Sequence, residues 1–329
     1  MNGASPPMIS VIIPTHGRQH LLARLLGSLA RQTLDPARFE VIIVHNHTPD
    51  GTEEMATRWC AGQPFDAVYF RKNYPGPTRS RQFGASVARG EFLAFIDDDC
   101  MATPGWLAAG LGAFEQPAAP GTSPVGLVQG PTLPMPDQPQ RFPCKTVNVC
   151  GPTIFFETCN IFYRREAFDS VGGFSADFLD LFYGEDSDLG WKVTQGGYRS
   201  AFAADALVHH EVFRVSFRKW LAEPLYFRNL PRLVRKHPGL RRHMFVRYFL
   251  TRETFLFNLA LLSLPLVAAG RPLPAVLLVA PYVAARFLSG GHVGGVPQRL
   301  ARVVLGVPRS FCTWYALVSG SIRARCVLL

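Results

Sequence analysis

The stretch Phe92-Leu93-Ala94-Phe95-Ile96-Asp97-Asp98-Asp99 constrains this chain more than any other. Five apolar residues, bounded upstream by Gly90, predict a fully buried strand. Three carboxylates follow without a break, and their mutual repulsion is costly unless a cation or water meets them. A solvated acidic turn would satisfy that condition. So would a hard divalent cation, Mg²⁺ or Mn²⁺, shared with a diphosphate. Open α/β sheets bind ligands just beyond the carboxyl ends of their strands, which is where these acids fall.

The flanking sequence repeats the theme. Ile9 to Ile13 reads as a strand ending at Pro14-Thr15, and Leu21, Leu22, Leu25, Leu26 and Leu29 recur at helical spacing after it. Glu40 to Val44 is a second strand, closed by the turn His45 to Gly51, with Asp50 or Thr52 placed to cap the next helix. Val68-Tyr69-Phe70 is a third strand and Pro77 to Arg89 a helix. Such alternation predicts a parallel, doubly wound sheet. Right-handed crossovers then gather the loops at 14–18, 45–51 and 97–101 on one edge, the candidate site. The proline-rich segment 117–152 reads as a connection without regular elements. Arg164 to Val171 reads as a short helix ended by Gly172-Gly173. Tyr183 to Trp191 holds a second acidic cluster with Asp186 just inside a helix start and Asp188 as a helix-face charge. An acidic first turn that complements a helix dipole would by itself explain Glu185-Asp186. Cys100 reads as a small space-filler.

Composition separates the two ends of the chain. Its 329 residues are 48% hydrophobic with a formal charge of +10, and the basic residues crowd into the second half. That balance suits anionic lipid or phosphorylated small molecules; no segment resembles a nucleic-acid module, so no nucleic-acid partner is expected. Seven cysteines without a CxxC pair argue against a zinc site or disulfide framework and fit a reducing cytoplasm. Met1 to Met8 lacks the pattern of a signal peptide. From 214 to Arg252 the chain is strongly basic among aromatics and leucines, an interfacial pattern. Phe255 to Gly270 gives 16 uncharged residues and, after Arg271, 14 more run to Ala285. Each falls short of the ~20 that a span needs. A tilted hairpin, a re-entrant pair and buried core helices all remain open, and the flanking arginines would place a hairpin's ends in the cytoplasm. A third apolar patch runs from Phe311 to Val318. The expected domains are 1–213 and 214–329.

Taken in order, Ile9 to Arg18, the 45–51 turn, Ser80-Arg81-Gln82-Phe83-Gly84, the Asp run, Gly172-Gly173-Phe174 and Glu185-Asp186 resemble the motifs of family 2 glycosyltransferases. The resemblance covers residues 8–215. It implies an α/β GT-A fold (Rossmann-like, mostly parallel, flanked by helices), here with a helical, partly membrane-associated C-terminal extension. It also implies an inverting, metal-dependent transfer from a nucleotide-diphospho-sugar. By the same resemblance Pro14, Thr15 and the turn from His45 to Asp50 frame the base and ribose, and Arg81 meets the diphosphate. Asp97, Asp98 and Glu185 contact substrate, Asp99 holds Mg²⁺ or Mn²⁺, and Asp186 is the catalytic base. His209 or His210 matches a metal-binding histidine, with His209 preferred. The expected acceptor is lipid-linked or a cell-envelope glycan, met at the cytoplasmic face of the membrane. Two positions depart from the family: His45 stands where an Asp is usual, and His16-Gly17-Arg18 where Tyr-Asn-Arg is usual. A sugar-nucleotide nucleotidyltransferase is disfavoured by the single glycine in Pro14 to Arg18. A non-catalytic, membrane-bound sugar-nucleotide sensor is disfavoured by the presence of both the Asp run and Asp186.

Overall fold

The computed structural model describes residues 7–115, 121–179, 181, 183–289 and 296–329. Most of the N-terminal stretch Met1 to Met8, and residues 117–120 of the proline-rich connection, lie outside the described residues. The chain divides into two compact units, Met1–Arg214 and Val215–Leu329.

The first unit opens with β1 (Ile9–Thr15), α1 (Gln19–Leu29), β2 (Phe39–Asn46), α2 (Thr52–Ala61), β3 (Asp66–Lys72), α3 (Pro77–Val87) and β4 (Phe92–Ile96). Every residue of β1, β2 and β4 is buried. Helices cover both faces of such strands, which is why they read as unbroken apolar runs instead of alternating ones. Leu22, Leu25, Leu26 and Leu29 of α1 share a core with Ile9, Val11 and Ile13. Gly90 admits the chain to β4: a Cβ there would stand 2.7 Å from the Ser10 backbone nitrogen.

The unit continues through β5 (Cys100–Ala102), α4 (Trp106–Glu115), β6 (Val125–Gln129), β7 (Thr132–Pro134), β8 (Cys144–Lys145) and β9 (Asn160–Arg164). It closes with α5 (Arg165–Ser170), α6 (Glu185–Gln195), β10 (Arg199–Phe202), β11 (Val208–His210) and β12 (Phe213–Arg214). The main sheet has seven strands in the order β10-β6-β9-β4-β1-β2-β3. Only β9 runs against its neighbours in it, so the sheet is mostly parallel. β1 pairs with both β2 and β4. The chain therefore winds outward from β1 to β3 and then crosses to the other side of β1. That reversal makes the carboxyl ends of β1 and β4 a natural ligand crevice.

One expectation fails here. Val125–Gln129 is not loop but a fully buried strand inside the sheet. Pro124 and Pro131 bound this strand and do not interrupt it, so proline density concealed a regular element.

The second unit holds α7 (Phe217–Ala222), α8 (Leu230–Lys236), α9 (Arg252–Leu261), α10 (Ser263–Ala268), α11 (Pro272–Leu288) and α12 (Val296–Ala324). Thr251 and Thr254 cap α9 reciprocally. Leu256 and Phe257 of α9 pack on Tyr282 of α11. Gly320 lets α12 pass the Arg228 carbonyl, where a Cβ would come within 2.2 Å of the oxygen. The first apolar run breaks at Leu262, between α9 and α10. Among the described residues no helix is long and apolar enough to cross a membrane.

Candidate active site

The three carboxylates after β4 part company at once. Asp97 turns to α3, where Arg81 donates from Nη2 to its Oδ1 at 2.5 Å. Asp98 turns to β1, accepting the Thr15 hydroxyl at 2.8 Å and Arg18 Nη1 at 3.1 Å. Asp99 accepts the same Arg18 nitrogen at 2.7 Å, and its Oδ1 lies 3.4 Å from His210 Nε2. Asp97 thus meets α3, while Asp98 and Asp99 share Arg18 and differ in their second partners, Thr15 and His210. Burial nevertheless pushes the Asp98 carboxyl up to about 6 against the opposing pull of Arg18.

Arg18 is the cation of this cluster. It is half-exposed, shared between Asp98 and Asp99, and stands 5.4 Å over the Phe213 ring. The loop that carries it is fixed from the next loop along the edge: Asn46 O accepts from His16 Nδ1 at 2.8 Å, and Gly17 N–H donates to Thr48 at 3.1 Å. The predicted gathering of the 14–18, 45–51 and 97–101 loops is therefore observed.

The second acidic cluster comes to the same edge through Arg81. This arginine is nearly fully buried, grips Asp97 with one nitrogen and holds Asp186 Oδ1 at 4.0 Å with the other. Asp186 also accepts the backbone N–H and the hydroxyl of Thr158 at 3.0 and 2.9 Å. Its side chain keeps a quarter of its surface exposed. The enclosing protein raises the Asp186 pKa, with Arg81 and Thr158 pulling the other way. Next to it, Glu185 is buried with Oε2 unpartnered, and burial with the Asp186 charge lifts it to about 8. The two carboxyls thus share one enclosed site, and its burial favours the protonated form of Glu185, which lacks the Arg81 ion pair and the Thr158 bonds that Asp186 has.

Several expected residues sit differently. His210, not His209, faces Asp99, because adjacent strand residues point to opposite faces and β5–β11 register sets His210 against Cys100. His45 is fully buried with Nδ1 on Tyr69 and Nε2 on Thr48, so it pins its turn and presents no atom to a ligand; burial also lowers its pKa. Pro14 is likewise buried inside β1, opposite Val44. Asp50 accepts the Thr52 N–H at 3.2 Å and has no contact with the Asp run, while Gly51 takes the N-cap position of α2. Arg81 is buried in α3 with Nη2 on Asp97, Nη1 4.0 Å from Asp186 and Nε without a partner, so its nearest partners are carboxylates. Asp188 is buried and accepts the Ser175 hydroxyl. Cys100 is buried as expected, its thiol pushed up by that burial.

The donors near Asp99 fit a divalent cation. Asp99, Cys100 and His210 place ligand atoms within 4.8 Å of one another. The Glu211 carbonyl lies 2.7 Å from His210 Nδ1, so in the neutral ring that nitrogen carries the proton. Nε2 is then a lone pair facing a carboxylate oxygen, an arrangement that a cation would complete. A carboxylate with an imidazole suits Mn²⁺; the protonated Cys100 thiol adds nothing for a hard ion.

Sequence reading assigned no role to two participants and preferred the wrong member of a histidine pair for a third. Arg18 closed the first motif and lay in one of the edge loops, but was given no role of its own. Thr158 lay among the apolar residues before β9, with no spacing to mark it. His210 needed the strand register to be told from His209.

Comparison with known proteins agrees with this geometry. The model of glycosyl transferase family 2 matches residues 10–172 and that of glycosyl transferase family group 2 matches residues 92–305. Validoxylamine A glucosyltransferase of Streptomyces hygroscopicus subsp. limoneus is 28% identical over 275 residues, covering 73% of this chain and 59% of that relative. Glycosyltransferase AglE of Haloferax volcanii is 27% identical over 214 residues, covering 62% of this chain and 67% of the relative. The chain thus spans less than two thirds of the first of these curated relatives. Among solved structures, the mannosyltransferase PcManGT of Pyrobaculum calidifontis in complex with GDP-Man and Mn²⁺ has a TM-score of 0.55 at 17% identity, covering 98% of this chain and 88% of that one. The TarS fragment 1–349 of S. aureus in complex with UDP-GlcNAc has a TM-score of 0.50 at 16% identity, covering 97% and 92%. These likenesses establish a GT-A-like fold. With a family model matched across most of its length, the chain belongs to the family 2 glycosyltransferases.

Proposed function

We propose that this chain transfers a sugar from a nucleotide-diphospho-sugar to an acceptor hydroxyl with inversion, using Asp186 as the base. One observation carries the reading: Arg81 bonds Asp97 of the donor-side run and lies 4.0 Å from Asp186, so a partly exposed carboxylate stands one arginine away from the Asp run. The two solved neighbours bind nucleotide-sugars, the same donor class.

In this reading Thr15 and the 14–18 loop frame the donor at the carboxyl end of β1. Asp98, oriented by Thr15 and Arg18, faces the sugar nucleotide. Asp99 and His210 would hold Mg²⁺ or Mn²⁺, whose charge offsets that of the leaving diphosphate. Arg18 is the half-exposed cation placed to follow that charge. Asp186, fixed by two bonds from Thr158, takes the acceptor proton as the hydroxyl oxygen bonds the anomeric carbon and the sugar–phosphate bond breaks. Neutral Glu185 removes a competing charge beside it. A carboxylate acting as base on the acceptor, not as a nucleophile, suits single displacement, hence inversion. The acceptor is lipid-linked or a cell-envelope glycan, met at the cytoplasmic face of the membrane, a placement supported by the basic second unit.

The test is a donor screen with the full chain and membranes, reading nucleoside diphosphate release with and without Mn²⁺. Metal-dependent release from one nucleotide class is expected. Calorimetric binding of a donor that is never turned over with any acceptor would favour a non-catalytic sensor.

A further inference from the structure

The second unit turns apolar side chains outward along whole helices. On α12, Val296, Leu300, Val304, Val307, Phe311 and Tyr315 are each 45–68% exposed. They recur at steps of three and four, so they form one stripe along the helix. The arginines of this helix leave the stripe clear: Arg299 lies over Phe287, Arg302 donates to the Ser289 carbonyl and Arg309 pairs with Glu223. α10 and α11 repeat the pattern, with Val267, Leu273, Val276 and Leu277 at 60–73% exposure and Arg271 the one charged residue between Ser263 and Ala285. The inner side of this helical group combines the apolar contacts of Leu256, Phe257 and Tyr282 with paired polar groups. There Tyr282 and Arg286 meet Ser310, and Arg286 pairs with Glu253 at 2.5 Å. An exposed apolar surface of this extent on a monomer marks an interaction site.

Charge decides the occupant. Residues 215–329 carry 17 of the chain's 34 Lys and Arg but only 2 of its 24 acids, Glu223 and Glu253. Both acids are already ion-paired within the unit. A second copy would bring a like charge of the same size against this surface, which opposes self-association. An anionic bilayer offers the opposite charge together with an apolar interior. We infer that the outer faces of α10, α11 and α12 form a one-leaflet docking surface, sinking into the acyl boundary of an anionic membrane while the arginines meet the headgroups. This goes beyond a basic tail near a membrane: it assigns the inserting faces and a non-spanning mode, in keeping with the absence of a spanning helix among the described residues. It deepens the membrane placement proposed above but is read without any donor or acceptor, so it can fail while the chemistry stands.

The experiment is flotation of the full chain with vesicles of phosphatidylcholine alone and of phosphatidylcholine with phosphatidylglycerol. A triple variant Leu300→Glu, Val304→Glu and Phe311→Glu tests the stripe; all three positions are exposed, so its circular dichroism and melting should match the parent. Flotation with the anionic vesicles is expected, reduced but not abolished by high salt, and weakened roughly tenfold or more in the variant. Equal binding by parent and variant would overturn the inference. So would a parent that ignores vesicles but sediments as a dimer that the variant breaks, because the face would then belong to a second copy.

Discussion

The two units place their charges in opposite ways. The first holds 22 of the 24 acids and draws the important ones inward, to one edge of the sheet, each against a chosen partner. The second holds half of the basic residues and turns many of them, with a large share of its leucines and valines, to the outside. Buried charge is costly and persists where geometry satisfies it, so it marks chemistry. Exposed charge costs little and acts at a distance, so it marks a surface.

The strongest way to break this contrast is to remove one buried arginine. Arg81→Leu leaves Asp97 and Asp186 without their shared counter-charge and should cost about 3–5 kcal/mol in chemical denaturation. Adding Asp97→Asn to the same chain should recover part of that loss. If Arg81→Leu is neutral, the two acidic clusters are not one unit.

A smaller effect follows from Glu185. Its folded pKa, about 8, lies above the ordinary 4.5, so its contribution to stability is present below pH 4.5 and lost as pH rises towards 8. Glu185→Gln does not titrate. The wild type should therefore lose stability relative to this variant across that window, by on the order of 2 kcal/mol because Asp186 and Arg81 share the titration. Parallel melting curves from pH 4.5 to 8 would remove the claim that Glu185 is neutral.

Arg18 tests the half-exposed middle ground. Arg18→Gln should raise the donor KM by about tenfold, the scale of a lost charged hydrogen bond, with less change in kcat. An unchanged KM would confine Arg18 to a structural role. The smallest effect belongs to the outer surface: Arg242→Gln, exposed in the second unit, should shift stability by less than about 0.5 kcal/mol. Its affinity for anionic vesicles should fall by about 1 kcal/mol. A large loss of stability there would mean that exposed and buried arginines are not distinct classes.

Much of the framework was legible because strands buried on both faces leave continuous apolar runs, as in β1, β2 and β4. The Asp run stood out as a candidate site because charge follows such a strand directly, and Asp186 as a candidate because it lies at the start of a helix. What stayed hidden depends on distant packing. β6 is a short strand framed by prolines. His45 reads as a turn residue facing a ligand until Tyr69 and Thr48 close over both ring nitrogens. Arg81 looks like an anion ligand in a motif, but α3 buries it between two acids that lie far apart in sequence. His210 parted from His209 only through the register of β11 against β5.

The central claim is that Asp186 is the base of a transfer reaction and not a structural acid. The direct measurement is Asp186→Asn, with donor affinity by calorimetry and single-turnover transfer at saturating donor. Donor binding should survive, because the near-isosteric side chain can still accept from Thr158, while transfer falls 10²–10⁴-fold, the range for a lost general base. Transfer at the wild-type rate with saturating donor would contradict the account.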